Sequence, residues 1–95
     1  MASYVVITSI NKNSKDFGNF MDVIENCSSF SWHFPHSSVW FIKSDFSTED
    51  ITDMIYDSFD TDDESFVIAE LKNNKQGWLT DDQWNILNNN IFSDM

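Results

Sequence analysis

Phe30-Ser31-Trp32-His33-Phe34-Pro35-His36-Ser37-Ser38-Val39-Trp40-Phe41-Ile42 carries the reading from which the rest of the chain is ordered. Its first five residues alternate strictly between large apolar and polar side chains, as a strand with one buried face does. Pro35-His36-Ser37 breaks that strand, and Val39-Trp40-Phe41-Ile42 begins another. So short a connection implies an antiparallel hairpin. Moving outward, Ser47-Thr48-Glu49-Asp50 opens a helix, with hydroxyls to cap it and acids that suit its positive N-terminal end. Ile51, Met54, Ile55 and Phe59 give that helix its buried face. On the other side of the hairpin, Phe17, Phe20, Met21, Ile24 and Cys27 form one apolar helical stripe, which Gly18 weakens by ~1 kcal/mol relative to Ala. Asn11, Asn13 and Ser14 ahead of it supply turn and N-cap chemistry.

The first and fourth strands in chain order are Tyr4 to Ile10 and Phe66-Val67-Ile68-Ala69, both apolar on two faces, as central strands are. The order is therefore β-α-β-β-α-β, two crossovers joined by a hairpin, which is the ferredoxin-like pattern. The first and fourth strands are expected at its centre and the alternating second strand at an edge. A polar loop, Asn73 to Gln76, then leads past Gly77 to a third helix. Thr80 with Gln83 forms a capping box there, and Leu79 with Trp84 has the spacing of a hydrophobic staple. Asn88-Asn89-Asn90 is expected to fray its end. The fold class is α+β: a single ferredoxin-like domain over residues 1–95 with an additional C-terminal helix.

Charge limits what such a domain binds. Sixteen Asp and Glu stand against five Lys and no Arg, a net charge of −11. Nucleic acid is held chiefly by phosphate neutralisation, so it is not an expected partner. Bidentate phosphate recognition is the task for which Arg is preferred, and there is none. At 41% hydrophobic and 16% aromatic the chain is too apolar for a disordered acidic tail. Its aromatic excess points to rings packed against a second copy, so a homodimer is expected. One cysteine excludes an internal disulfide. Met1-Ala2-Ser3-Tyr4 has neither a basic n-region nor a cleavable apolar run, and no apolar stretch approaches a membrane span, so a cytoplasmic protein is expected. Asn26-Cys27-Ser28 is then a chance sequon.

The opening strand followed by Asn11-Lys12 resembles the SinR-like family of small bacterial and phage proteins. So do Trp32-His33, the run Ser38 to Asp45, the capped helix from Ser47, and Gly77-Trp78-Leu79 with Trp84. That family is itself similar to the small dimeric ferredoxin-like subunit of the CRISPR spacer-integration complex. The resemblance covers nearly the whole chain and rests mostly on core and cap positions. It implies the ferredoxin-like fold and pairing through the sheet. Members of the wider group carry an acidic residue at the end of the first strand, in a pattern like Tyr-Asp-Leu. In those proposed to be nucleases it is the presumed metal ligand. Here Thr8-Ser9-Ile10 stands in its place, and serine does not replace a carboxylate for a hard divalent cation.

Other candidate chemistry is thin. His33-x-x-His36 is a legal zinc spacing, but with Cys27 on an apolar stripe the tetrahedral set is incomplete, and surface histidines are the simpler reading. Cys27 has no Lys or Arg beside it in sequence to depress its pKa. Asp60-Thr61-Asp62-Asp63-Glu64 fails the EF-hand pattern, with Ser65 and Leu71 where Gly and Glu are required. Asn11, Lys12, Asn13, Ser14 and Lys15 offer a phosphate a strand-to-helix turn with two lysines, without P-loop spacing; a helix cap is the plainer reading. No catalytic, cofactor or metal residue is assigned. Eight of the sixteen acids lie between Glu49 and Glu64. Asp57 and Asp60 sit near a helix C-terminus, and Asp53 and Asp57 repel at i, i+4. Asp53, Asp57, Asp60, Asp62 and Asp63 are therefore the expected recognition surface for a basic protein. The expected function is a non-enzymatic, acidic interaction module. Two alternatives are a metal-dependent endoribonuclease using other carboxylates, such as Asp16 or Asp45, and a phage or mobile-element inhibitor that mimics nucleic acid.

Overall fold

The computed structural model describes residues 1–59 and 64–93. Four strands, β1 (Ala2–Thr8), β2 (Phe30–His33), β3 (Val39–Ser44) and β4 (Phe66–Glu70), form one antiparallel sheet in the order β2-β3-β1-β4. Helices α1 (Phe17–Cys27) and α2 (Thr48–Ser58) follow β1 and β3, and α3 (Asp81–Ile86) follows β4. The architecture is α+β and fits the ferredoxin-like class broadly. The hairpin anticipated from the break at Pro35-His36-Ser37 pairs Trp32 with Phe41 and His33 with Trp40.

Register sorts the side chains onto two faces. Tyr4 opposite Ile42 and Val6 opposite Trp40 point to α1 and α2. The core there includes Val6, Phe20, Ile24, Ile42, Ile51 and Ile55, each 0% exposed. The apolar stripes read for both helices are the ones that face it, with Phe17, Met21, Met54 and Phe59 half-buried at its rim. Ser47 accepts the Asp50 N–H at 3.1 Å and caps α2 as anticipated. The start of α1 differs from expectation. Asp16 is its N-cap residue and makes no side-chain cap bond. Asn11 and Ser14 instead close the preceding turn, accepting from Asn13 N–H at 2.8 Å and Asn11 N–H at 3.0 Å.

The second face holds a separate cluster of Leu87, Ile91 and Phe92 against the half-buried Phe30, Trp32, Phe41, Leu79 and Trp84. Thr80 and Gln83 make the anticipated reciprocal cap of α3. Its end does not fray at the three asparagines: Leu87–Ile91 is a π-helical turn, with Phe92 N–H donating to the Leu87 carbonyl at 2.8 Å. The extra residue in that turn brings Leu87, Ile91 and Phe92 onto the sheet together. Burial of those three side chains, together with the Ser3 hydroxyl donating to the Ile91 carbonyl, outweighs the poor helix propensity of Asn.

β4 is an edge strand, not a central one; β3 takes the place beside β1. The run Phe66–Ala69 is apolar on both faces, but only Phe66 and Ile68 pack against the core. Val67 and Ala69, on the other face, are exposed. The C-terminal helix lies over β2, β3 and the Ser3 end of β1, so Ile7 of β1 and Val67 and Ala69 of β4 are left exposed on that face.

Candidate functional site

α2 turns Ile51 and Ile55 inward and presents Glu49, Asp50, Asp53, Tyr56 and Asp57 to solvent. Residues 49, 53 and 56, and 50, 53 and 57, stand three or four apart and share one side. Tyr56 is 68% exposed and stands beside Asp53 and Asp57. Among the described residues no lysine or histidine forms an ion pair with these four carboxylates. Of the five acids anticipated as a recognition surface, Asp53 and Asp57 are on this face; Asp60, Asp62 and Asp63 lie outside the described residues. Sequence reasoning missed Tyr56. The available signal was an aromatic residue directly after Ile55, off the apolar stripe and inside an acidic run.

Ser9 ties the end of β1 to the entry of β4. Its hydroxyl accepts the Ser65 N–H at 2.9 Å, and its own N–H donates to the Ser65 carbonyl at 3.0 Å. Where the resemblance expects a carboxylate, the chain has a strand-to-strand clasp. Asp16 and Asp45 are not brought together: Asp16 is buried at the start of α1, beyond the C-terminal end of β1. Asp45 is at the opposite end of the sheet, 3.7 Å from the N-terminal ammonium. Among the described residues no three of His, Cys, Asp and Glu converge as a metal site requires. Cys27 is buried, and burial raises its thiol pKa. Tyr4 is buried with its hydroxyl donating to the Phe46 carbonyl at 2.7 Å. Burial first, then Glu70 and Asp50, raise its pKa above the usual phenol value.

The two histidines and the lysine-bearing turn, considered separately in the sequence, share a cleft of about 610 Å³. Lys12 is on one side, His33 and His36 are on the other, and Phe17 and Trp40 are in its wall. The His33 ring stacks on Trp40 at 4.4 Å and 17°, and its Nε2–H donates to the Ser37 carbonyl at 2.6 Å. His36 has a left-handed backbone, φ 57°, at the tip of the hairpin.

Apolar groups are exposed elsewhere. Ile7 and Val67, directly opposite each other on the open half of the sheet, are 46% and 57% exposed. Trp78 is wholly exposed beside a groove of about 370 Å³ next to the second cluster. No helix among the described residues is long and apolar enough to cross a membrane. No family model, curated protein or solved structure matches the chain.

Proposed function

We propose that the chain is a non-enzymatic interaction module that uses the acidic outer face of α2 to recognise a basic protein in the cytoplasm. The observation that carries this is Tyr56, 68% exposed beside Asp53 and Asp57, with no ion pair to either carboxylate among the described residues. Repulsion between Asp53 and Asp57 costs a few tenths of a kcal/mol in the free protein. A bound Arg relieves that repulsion and stacks on the phenol ring, worth ~0.5–2 kcal/mol as a cation–π contact. Tyr is also a residue type on which binding energy concentrates. Asp60, Asp62 and Asp63, next along the chain, extend the same charge in sequence.

Two further readings belong to this proposal. The domain is ferredoxin-like with an added C-terminal helix, and of the SinR-like kind; the sheet order supports the ferredoxin-like arrangement. It pairs as a homodimer through the open half of the sheet, which Ile7 and Val67 and the free edge of β4 support. Flat apolar edge strands are templates for pairing unless something covers them.

The test is affinity capture from cell extract at low and at physiological salt. Wild-type protein should retain a basic protein at low salt. Replacing Asp53, Asp57, Asp60, Asp62 and Asp63 by Asn should release it, and Tyr56→Ala should weaken it at unchanged charge. Retention by the Asn variant equal to wild type would refute the reading. Cleavage of RNA or DNA with magnesium or manganese, abolished by Asp16→Ala or Asp45→Ala, would replace it with the nuclease alternative.

A further inference from the structure

We propose that the cleft between the β1–α1 loop and the β2–β3 hairpin binds a small phosphate monoester. Although the chain has sixteen acids, none among the described residues lines this cavity, whereas Lys12, His33 and His36 all do. The carboxylates of the adjoining segments are placed elsewhere. Asp16 is 1% exposed and outside the wall, and Glu64 accepts a bond from the Ser14 hydroxyl at 3.1 Å. At physiological salt, charges farther than about 8 Å are largely screened. Lys12 is the charged side chain among the described lining residues.

The polar groups fit a phosphoryl group better than a carboxylate. Lys12, His36 and Ser38 line the cleft, and among the described residues none of their side chains is engaged elsewhere. They are three donor-bearing side chains with one of them cationic, and a phosphate monoester, with more negative charge than a carboxylate and a third terminal oxygen, gains more from them. His33 has a different task. With Nε2–H committed to the Ser37 carbonyl and the ring stacked on Trp40, it is a fixed wall. The remaining wall includes Ile10, Phe17 and Trp40, and about 610 Å³ is in the range of small-molecule pockets rather than single-ion sites. The ester group is accordingly apolar or aromatic. This site is independent of the α2 face, and either can fail without the other.

The probe is phenyl phosphate, followed through the imidazole proton resonances of His33 and His36, with inorganic phosphate and benzoate as comparisons. Phenyl phosphate should shift both rings saturably and bind more tightly than either comparison compound. Lys12→Ala should weaken it roughly tenfold, the usual effect of losing a charged hydrogen bond. His36→Asn, which keeps a side chain tolerant of the left-handed backbone, should weaken it less. Lys72→Ala, on the β4–α3 loop, should leave it unchanged. Equal binding of inorganic phosphate would remove the role of the apolar wall, and equal binding of benzoate would remove the phosphoryl assignment. Absence of a saturable shift, or an equal loss in Lys12→Ala and Lys72→Ala, would overturn the site.

Discussion

Replacing Ile91 by alanine tests whether the C-terminal helix is part of the cooperative domain. Ile91 is 0% exposed in the second cluster and lies in the π-helical turn that also places Leu87 and Phe92 on the sheet. Truncation of a buried Ile to Ala costs about 2–5 kcal/mol, the larger values applying where the cavity cannot collapse. Here the surrounding Phe30, Trp32, Phe41, Leu79 and Trp84 are only half-buried, with room to move inward. That places the loss near the lower end, about 2–3 kcal/mol, a large part of the few kcal/mol that stabilise a domain of this size. At roughly 4–8 °C per kcal/mol, Tm should fall by roughly 10–20 °C. Urea unfolding followed by far-UV circular dichroism and by tryptophan fluorescence would measure it, with an unchanged m-value. The two signals should coincide, because Ser3 is bonded to the Ile91 carbonyl and Lys43 to Ser93 across the sheet. Exposed Asn89→Ala is the control and should change stability by less than about 0.5 kcal/mol. A loss below about 1 kcal/mol in Ile91→Ala, or a fluorescence transition preceding the circular dichroism one, would refute this packing account.

Three further outcomes follow from the same geometry. Tyr4 has a raised pKa in the fold, so its stabilising contribution is complete below the unfolded phenol value and is lost as pH rises through the folded one. Unfolding free energy should therefore decline above about pH 10 in wild type and decline less in Tyr4→Phe, read from urea melts across alkaline pH. Cys27, buried with a raised pKa, should react with an aromatic disulfide reagent only as fast as the protein opens, and at once in denaturant. Sedimentation at micromolar concentration should give twice the monomer mass; Val67→Asp on the open sheet face should give the monomer, and a wild-type monomer would remove the dimer proposal.

Much of the architecture was legible because it rests on local chemistry. The hairpin, both apolar stripes and the caps at Ser47 and Thr80 are set by residues within a few positions of one another. The edge place of β2 and the central place of β1 were legible too, but the choice between β3 and β4 for the second central place was not. Phe66–Ala69 and Val39–Ile42 are both apolar runs, and periodicity does not say which one has its second face covered. That depends on where residues 87–92 land, a contact made across more than forty positions. The π-helical turn was hidden for a related reason: three consecutive asparagines argue against helix, and only tertiary burial of Leu87, Ile91 and Phe92 reverses the argument. Of the candidate sites, charge clustering located the acidic face, but Tyr56 emerged only when the helix phase was known. The cleft was the least visible, since Lys12 is more than twenty residues from His33 and neither carries a motif.

The most direct measurement of the central proposal is the association rate of the chain with its captured basic partner as a function of salt. Exposed charges act over about 30 Å at 0.01 M ionic strength and about 8 Å at 0.15 M. Wild-type association should therefore slow steeply over that range, while the variant with Asn at 53, 57, 60, 62 and 63 should start slower and change little. Parallel salt dependences in the two proteins would contradict recognition through the acidic face of α2.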